Sequence, residues 1–341
     1  MIDVNKLVRP NILSLQPYSS ARSEFKGSRG IFLDANENPF GTLNRYPDPL
    51  QTELKEKLIE IKSIPFENIF IGNGSDEIID LCFRLFCEPG KDKALIFTPT
   101  YGMYKVCADI NNVKLVNMPL NDSFQIDNEI ATSVLEEENL KLIFICSPNN
   151  PTGNSIDAIE TIVKSFKGIV VVDEAYIDFS PKESLSKKLE HYPNLIVLQT
   201  LSKAWGLAAA RIGMAFCSTK IINLLNKVKP PYNISQLNYR AAIEMLSQKE
   251  IYEANNNIIL TEREAIILKL KSIKWVVKVY PTDANFILIK VTDAGKIYNR
   301  LKNNFIIIRN RDKEIKNTLR ITIGSPQENK ALLNALQKIE L

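Results

Sequence analysis

Four short apolar runs, at residues 94–97, 142–146, 169–172 and 195–198, are each followed at once by polar, Pro-rich or Gly-rich residues, and stretches of helical periodicity separate them. Runs this short, rich in β-branched and aromatic residues and without polar alternation, suit strands covered on both faces. They predict an α/β fold, a mostly parallel sheet flanked by helices. In open sheets of that kind ligands bind beyond the carboxyl ends of the strands, so the turns after the four runs are where chemistry should be sought.

Past Pro230 and Pro231 an amphipathic stretch, 236–271, predicts one long helix. It leads to a second block with strands expected at 276–280, 286–290, 306–309 and 320–323, whose cleaner alternation fits a smaller α+β layer with one solvated face. A chain of 341 residues exceeds the roughly 250–300 at which single cores stop growing. We therefore expect an N-terminal arm (1–30), a large domain (31–235) and a small C-terminal domain (236–341).

With 45% hydrophobic and 24% charged residues the chain is neither disordered nor membrane-spanning by composition. Its net charge of +4 comes from basic residues that are scattered, which argues against a nucleic-acid partner. The N-terminus has no apolar segment followed by a small-residue cleavage site, so a cytoplasmic location is expected. Cys82, Cys87, Cys107, Cys146 and Cys217 lie mostly in apolar runs, and their spacing favours buried free thiols over a disulfide framework or a zinc site; no metal is expected. The single histidine, His191, sits in a polar segment before a strand and has no catalytic neighbour in sequence.

The strand-end turns carry the candidate chemistry. Lys203 follows the fourth run amid small and apolar residues that can desolvate an ammonium and lower its pKa, as a Schiff-base lysine requires; read alone, a lysine in such a turn is far more often a surface residue. Asp173 closes the third run, where a carboxylate needs a partner: a protonated pyridine nitrogen, a helix N-terminus or a magnesium ion. The segment 71–77, Ile-Gly-Asn-Gly-Ser-Asp-Glu, leads into a periodic stretch; Ser75 can cap that helix, and the N–H groups at its start favour an anion. Thr200, Ser202 and Arg211 would complete a phosphate cup, although Arg211 alone fits an ordinary salt bridge. Tyr101 could stack on a flat ring, and Asn150 and Tyr176 could donate to a phenolate, or each could be a turn residue or a core aromatic.

In chain order these segments are Gly-Asn-Gly-Ser-Asp-Glu, Pro-Thr-Tyr, Ser-Pro-Asn-Asn-Pro-Thr-Gly, Val-Asp-Glu-Ala-Tyr and Ser-Lys with Arg211 eight residues on. That order resembles the aspartate-aminotransferase-like superfamily of enzymes dependent on pyridoxal 5'-phosphate (PLP), fold type I, over most of residues 31–324. The resemblance implies that Lys203 binds the cofactor and moves a proton, that Asp173 binds the pyridine nitrogen, and that Asn150 and Tyr176 contact the ring hydroxyl. It further implies that Tyr101 stacks on the ring, that Ser75, Asp76, Thr200, Ser202 and Arg211 hold the phosphate, and that Arg320 grips a substrate carboxylate.

Through Pro17-Tyr18, the segment 33–39, the segment 44–48 and the segment 284–288, the chain looks like the histidinol-phosphate aminotransferase family. That likeness implies transamination between L-histidinol phosphate and 2-oxoglutarate, giving imidazole-acetol phosphate and L-glutamate. It places Tyr18, Asn36, Arg309 and Arg320 at the substrate, sends Tyr46 to the cofactor phosphate of a neighbouring subunit, and so implies a homodimer. Ala209, Ala210 and Met214 depart from the usual motif around Arg211. Threonine-phosphate decarboxylases and aromatic aminotransferases share nearly the same segments, and a non-enzymatic protein on the same fold is disfavoured by the presence of both Lys203 and Asp173.

Overall fold

The computed structural model describes residues 2–18, 30–127, 134–157 and 159–340, so the expected arm at 1–30 lies partly outside the described residues. The large sheet has seven strands: β1 (Ile69–Asn73), β2 (Lys93–Thr98), β3 (Lys114–Pro119), β4 (Leu140–Cys146), β5 (Ile169–Asp173), β6 (Leu195–Thr200) and β7 (Ile212–Cys217). Their spatial order is β1-β7-β6-β5-β4-β2-β3. From β6 to β3 every pairing is parallel, while β7 runs antiparallel to both β6 and β1. All four expected strands are present and form the parallel centre. The sequence reading missed β1, β3 and β7.

Helices α1 (Pro10–Ser14), α2 (Thr52–Lys62), α3 (Gly74–Phe86), α4 (Met103–Ile110), α5 (Ile159–Ser165) and α6 (Thr219–Val228) belong to this part of the chain. The pleat divides the buried side chains into two cores. Leu95, Ile143, Val170 and Val197 face one; Ile96, Phe144, Val171 and Ile196 face the other, which also takes Ile78, Cys82 and Phe86 of α3. All five cysteines are buried free thiols. His191 is exposed at the end of a short 3-10 helix, Leu185–His191.

The expected helix over 236–271 is two, α7 (Gln236–Leu246) and α8 (Lys249–Lys271). The hydroxyl of Ser247 donates to the Ile243 carbonyl at 2.9 Å, and Gln248 leaves helical geometry at φ −107° and ψ 51°. A serine that captures a carbonyl of the turn behind it competes with the helix ladder. The small sheet, in the order β10-β11-β9-β8, comprises β8 (Val276–Val279), β9 (Phe286–Val291), β10 (Arg309–Asn310) and β11 (Thr318–Thr322), with α9 (Ala294–Asn303) and α10 (Pro326–Gln337) packed on it. The strand expected at 306–309 is cut down to β10. Ile306 N–H donates to Leu301 O at 3.0 Å, closing the end of α9, and Phe305 takes a positive φ of 59°, so pairing starts only at Arg309.

Candidate active site

Strand β5 delivers Asp173. Ile169 and Val171 face the α3 side of the sheet, and the two-residue repeat sends Asp173 the same way. There Tyr104 Oη donates to Asp173 Oδ2 at 2.8 Å and Ala175 N–H donates to Oδ1 at 3.1 Å. The residue is 2% exposed, and burial, opposed by those two hydrogen bonds, pushes its pKa up to about 6.

That folded value lies above the roughly 3.9 of an unfolded aspartate, so ionised Asp173 costs stability at neutral pH. The cost, about 3 kcal/mol for some two pKa units, is fully present above pH 6 and vanishes below about pH 4. Asp173→Asn is accordingly expected to stabilise the cofactor-free protein by about that amount at pH 8 and by little at pH 4, measured by urea unfolding. A variant less stable than the parent at pH 8 would contradict this account. A cationic N–H in contact removes the penalty, which is why the residue fits a protonated pyridine nitrogen.

The turn after β6 places Lys203. Thr200 Oγ1 donates to Ile212 O at 3.0 Å, accepts Ser202 N–H at 3.1 Å and lies 3.0 Å from Ser202 Oγ. The Lys203 ammonium sits 5.6 Å from the Tyr176 ring centroid. Partial burial, then the positive charge of Arg320, holds its pKa below the ordinary lysine value. A lysine so placed reaches its neutral, nucleophilic form more readily.

The first turn of α3 is pressed against β7. Gly72 of β1 pairs with Gly213 of β7, and a Cβ on Gly213 would stand 2.3 Å from the Gly74 carbonyl carbon and from Ser75 N. Only glycine permits that approach. Gly74 N–H donates to Arg211 O at 2.7 Å, with both residues at positive φ. The cap position is Asn73, so Ser75 is not the N-cap that the sequence suggested; it lies inside the first turn, where backbone N–H groups have no helical partner. Arg211 Nη2 lies 3.4 Å from Asp76 Oδ2, and Tyr101 Oη donates to Asp76 Oδ1 at 3.0 Å. Their side chains are 44% and 33% exposed, so the Arg211–Asp76 pair is worth about 0–1 kcal/mol and serves to orient the guanidinium.

From the turn after β4, Asn150 Nδ2 lies 3.4 Å from Tyr176 Oη, and its Oδ1 accepts from Arg320 Nη1. Arg320 is reached across the small sheet: Leu319 and Ile321 enter the core beneath α9 and α10, so Arg320 between them faces away, its guanidinium 5.1 Å from the Phe286 ring. Arg309 and Arg320 are direct antiparallel partners and share that face.

One cavity of about 310 Å³ is lined by Ser75, Asp76, Tyr101, Asn150, Asp173, Tyr176, Thr200, Ser202, Lys203, Arg211, Arg309 and Arg320, together with Cys146, Ala175 and Arg311. The predicted residues from both sheets therefore meet in one place. Tyr46 and Asn36 do not; they line a separate cavity with Arg45 and Pro47. Tyr18 is 74% exposed and lines neither cavity. Tyr18 and Asn36, expected at the substrate, do not line the Lys203 cavity of this chain, and Tyr46, expected at a neighbouring subunit's cofactor, does not line it either.

Arg311 is the charged lining residue that sequence reasoning missed. Its signal was the period of two: Arg309 and Arg311 alternate in an extended run, which Arg311 N–H prolongs by donating to Thr318 O at 3.0 Å. Among the described residues no group of three or more His, Cys, Asp or Glu side chains could hold a metal ion. No helix among them is long and apolar enough to cross a membrane.

Residues 25–336 match the family model for aminotransferase class I and II. The histidinol-phosphate aminotransferase of Parabacteroides distasonis is 51% identical, over the whole of both chains. This chain belongs to the histidinol-phosphate aminotransferase family. The Bacteroides thetaiotaomicron member is 50% identical, again over 100% of each chain. The crystal structure of the Clostridium acetobutylicum histidinol-phosphate aminotransferase superposes with a TM-score of 0.79 at 26% identity, covering 86% of this chain and 90% of that one. The fold is that of the PLP-dependent transferases of fold type I, and the cofactor of the family is PLP. The donor set fits that cofactor: a buried carboxylate for the ring nitrogen, a depressed lysine for its carbonyl carbon, and helix N–H groups, hydroxyls and Arg211 for its phosphate.

Proposed function

We propose that this chain interconverts L-histidinol phosphate and 2-oxoglutarate with imidazole-acetol phosphate and L-glutamate, an amino transfer in histidine biosynthesis. One observation carries the substrate class: Arg309 and Arg320 stand opposed on one sheet face, lining the cavity that Lys203 enters. Like charges directly opposed are unfavourable unless an anion lies between them. Two fixed guanidinium groups suit a phosphate dianion and, in the other half-reaction, a carboxylate. Full-length relatives at about half identity, all named for histidinol phosphate, weigh against the decarboxylase and aromatic alternatives.

Bound here, PLP supplies the electron sink for charge that develops at the substrate's α-carbon. Lys203 Nζ holds the cofactor and takes up the α-proton. Asp173 keeps the ring nitrogen protonated, Asn150 and Tyr176 donate to the ring oxygen, and Tyr101 covers the ring. The backbone of Ser75 and Asp76, the hydroxyls of Thr200 and Ser202, and Arg211 hold its phosphate. The division into an arm, a large domain to residue 235 and a small domain carrying the arginines completes the reading.

The enzyme is proposed to be a cytoplasmic homodimer. Ile31, Leu33 and Phe40 are 91%, 87% and 82% exposed on the segment that leads to Tyr46, an apolar surface suited to a second copy. In that assembly Tyr46 reaches the partner's cofactor phosphate, and Tyr18 and Asn36 contribute to substrate binding.

The test is a half-reaction screen by absorbance, comparing histidinol phosphate with histidinol, phenylalanine and glutamate. Histidinol phosphate and glutamate should convert the cofactor band. Equal conversion of unphosphorylated histidinol would remove the substrate assignment and leave general amino transfer. Arg311 enters here as a third cation, with Glu314 3.0 Å away as its counterion. Arg311→Gln should raise KM for histidinol phosphate about tenfold while histidinol is unaffected, since a hydrogen bond to a charged group is worth about 1.5–3 kcal/mol. An unchanged ratio of the two substrates' kcat/KM would exclude Arg311 from phosphate recognition.

A further inference from the structure

Lys229 follows α6, is 8% exposed, and lies outside the cavity that Lys203 enters. Its ammonium donates to the carbonyls of Pro49 at 2.8 Å, Pro231 at 2.9 Å and Pro230 at 3.3 Å, and to Asn233 Oδ1 at 3.1 Å. All four acceptors are neutral. The carboxylates of Glu77 and Asp48 favour the charge through space, and the four direct acceptors tie the ammonium to two loops at once.

What these loops carry is specific. Pro49 lies three residues after Tyr46, and Asp48 between them accepts from the N–H groups of Leu50 at 2.8 Å and Thr52 at 2.7 Å, fixing the entry to α2. Tyr232, in the turn that Lys229 grips, stacks on Tyr46 with ring centroids 4.4 Å apart and planes 14° from parallel. Asn233 then turns toward the phosphate cup: its Nδ2 donates to Ile71 O at 3.1 Å and to Glu77 Oε2 at 2.8 Å. Glu77 Oε2 also accepts Asn73 N–H at 2.5 Å, at the very start of α3.

We infer that Lys229 is a positioning residue whose ammonium, through Asn233 and Glu77, locks the Tyr46 corner to the first turn of α3. Two elements that face a cofactor phosphate are thereby set by one knot. The inference rests on the reading above that Tyr46 reaches the partner's cofactor phosphate. It adds that the knot joins this subunit's own cup to the residue it lends to its neighbour, so a strain at one phosphate site is passed to the other through a few hydrogen bonds.

The test is a double-mutant cycle on PLP affinity, titrated by absorbance in the full-length dimer, with phosphorus NMR of the bound cofactor as a second readout. Tyr46→Phe removes one hydroxyl and should weaken binding about tenfold. Lys229→Met should weaken it about tenfold and shift the phosphorus resonance in the same direction. The double variant should be weakened by less than the product of the two single effects, because both changes disturb the Tyr46 contact while Lys229→Met also loosens the first turn of α3. Asn233→Ala with Tyr46→Phe provides a second cycle, which decides the matter if Lys229→Met does not fold. Additive losses, about a hundredfold in the double variants with an unshifted resonance in Lys229→Met or Asn233→Ala, would overturn the inference and leave the role of Tyr46 standing. Unchanged affinity in Tyr46→Phe alone would overturn both.

Discussion

Lys203→Ala is expected to lower kcat by roughly 10⁴-fold, the upper range for removing a positioned proton-transfer group. Lys203 projects from the turn after β6 into the cavity where both sheets meet, and burial and Arg320 hold its amine below the ordinary pKa. His191 is exposed and does not line the cavity, so the chain's single imidazole offers no substitute base there. The loss should appear in the half-reaction with histidinol phosphate, followed by rapid-mixing absorbance, and a small added primary amine should restore part of it. A variant that retains a tenth of the parent rate would remove Lys203 from proton transfer.

Asp173→Ala should lower kcat by roughly 10²- to 10³-fold. Removing one partner of a buried ion pair costs about 3–5 kcal/mol, and about 1.4 kcal/mol is a factor of ten in rate. Asp173 is buried, and its carboxylate is oriented by Tyr104 and Ala175 toward whatever occupies the cavity. Asn at the same position keeps the shape and loses the charge. Similar losses in Asp173→Asn and Asp173→Ala would therefore assign the effect to electrostatics, while recovery in the Asn variant would assign it to packing. Activity within threefold of the parent in both would sink the pyridine-nitrogen role. The same asparagine is expected to stabilise the cofactor-free protein, so stability and rate should move in opposite directions.

The central strands could be read because β2, β4, β5 and β6 are buried on both faces and must be continuously apolar. Strand β3, at the sheet edge, carries Lys114, Asn117 and Pro119, which obscure its pattern. Strand β7 was hidden for another reason: Arg211, Ile212 and Gly213 were read as part of the phosphate turn, and the strand begins within that motif. Much of the site could be read because Ser75, Asn150, Asp173 and Lys203 each follow a recognisable strand or precede a periodic helix. Arg311 had only the two-residue repeat with Arg309 as a local signal, and the pairing of β10 with β11 is what brings that repeat to the cavity. Tyr46, Tyr18 and Asn36 lie away from the Lys203 cavity of the same chain, the placement that the proposed homodimer would account for.

The glycine contact between β7 and α3 has a consequence for how this enzyme tolerates variation. A methyl group at Gly213 would sit 2.3 Å from the backbone of Gly74 and Ser75, which cannot yield as a flexible side chain would. Such a change contacts neither substrate nor cofactor by its side chain, yet it would lever away the helix turn that carries the free N–H groups. In a saturation screen Gly213 should therefore score like a ligand. A library built only on residues that touch the cavity would miss the position at which a single carbon atom empties it.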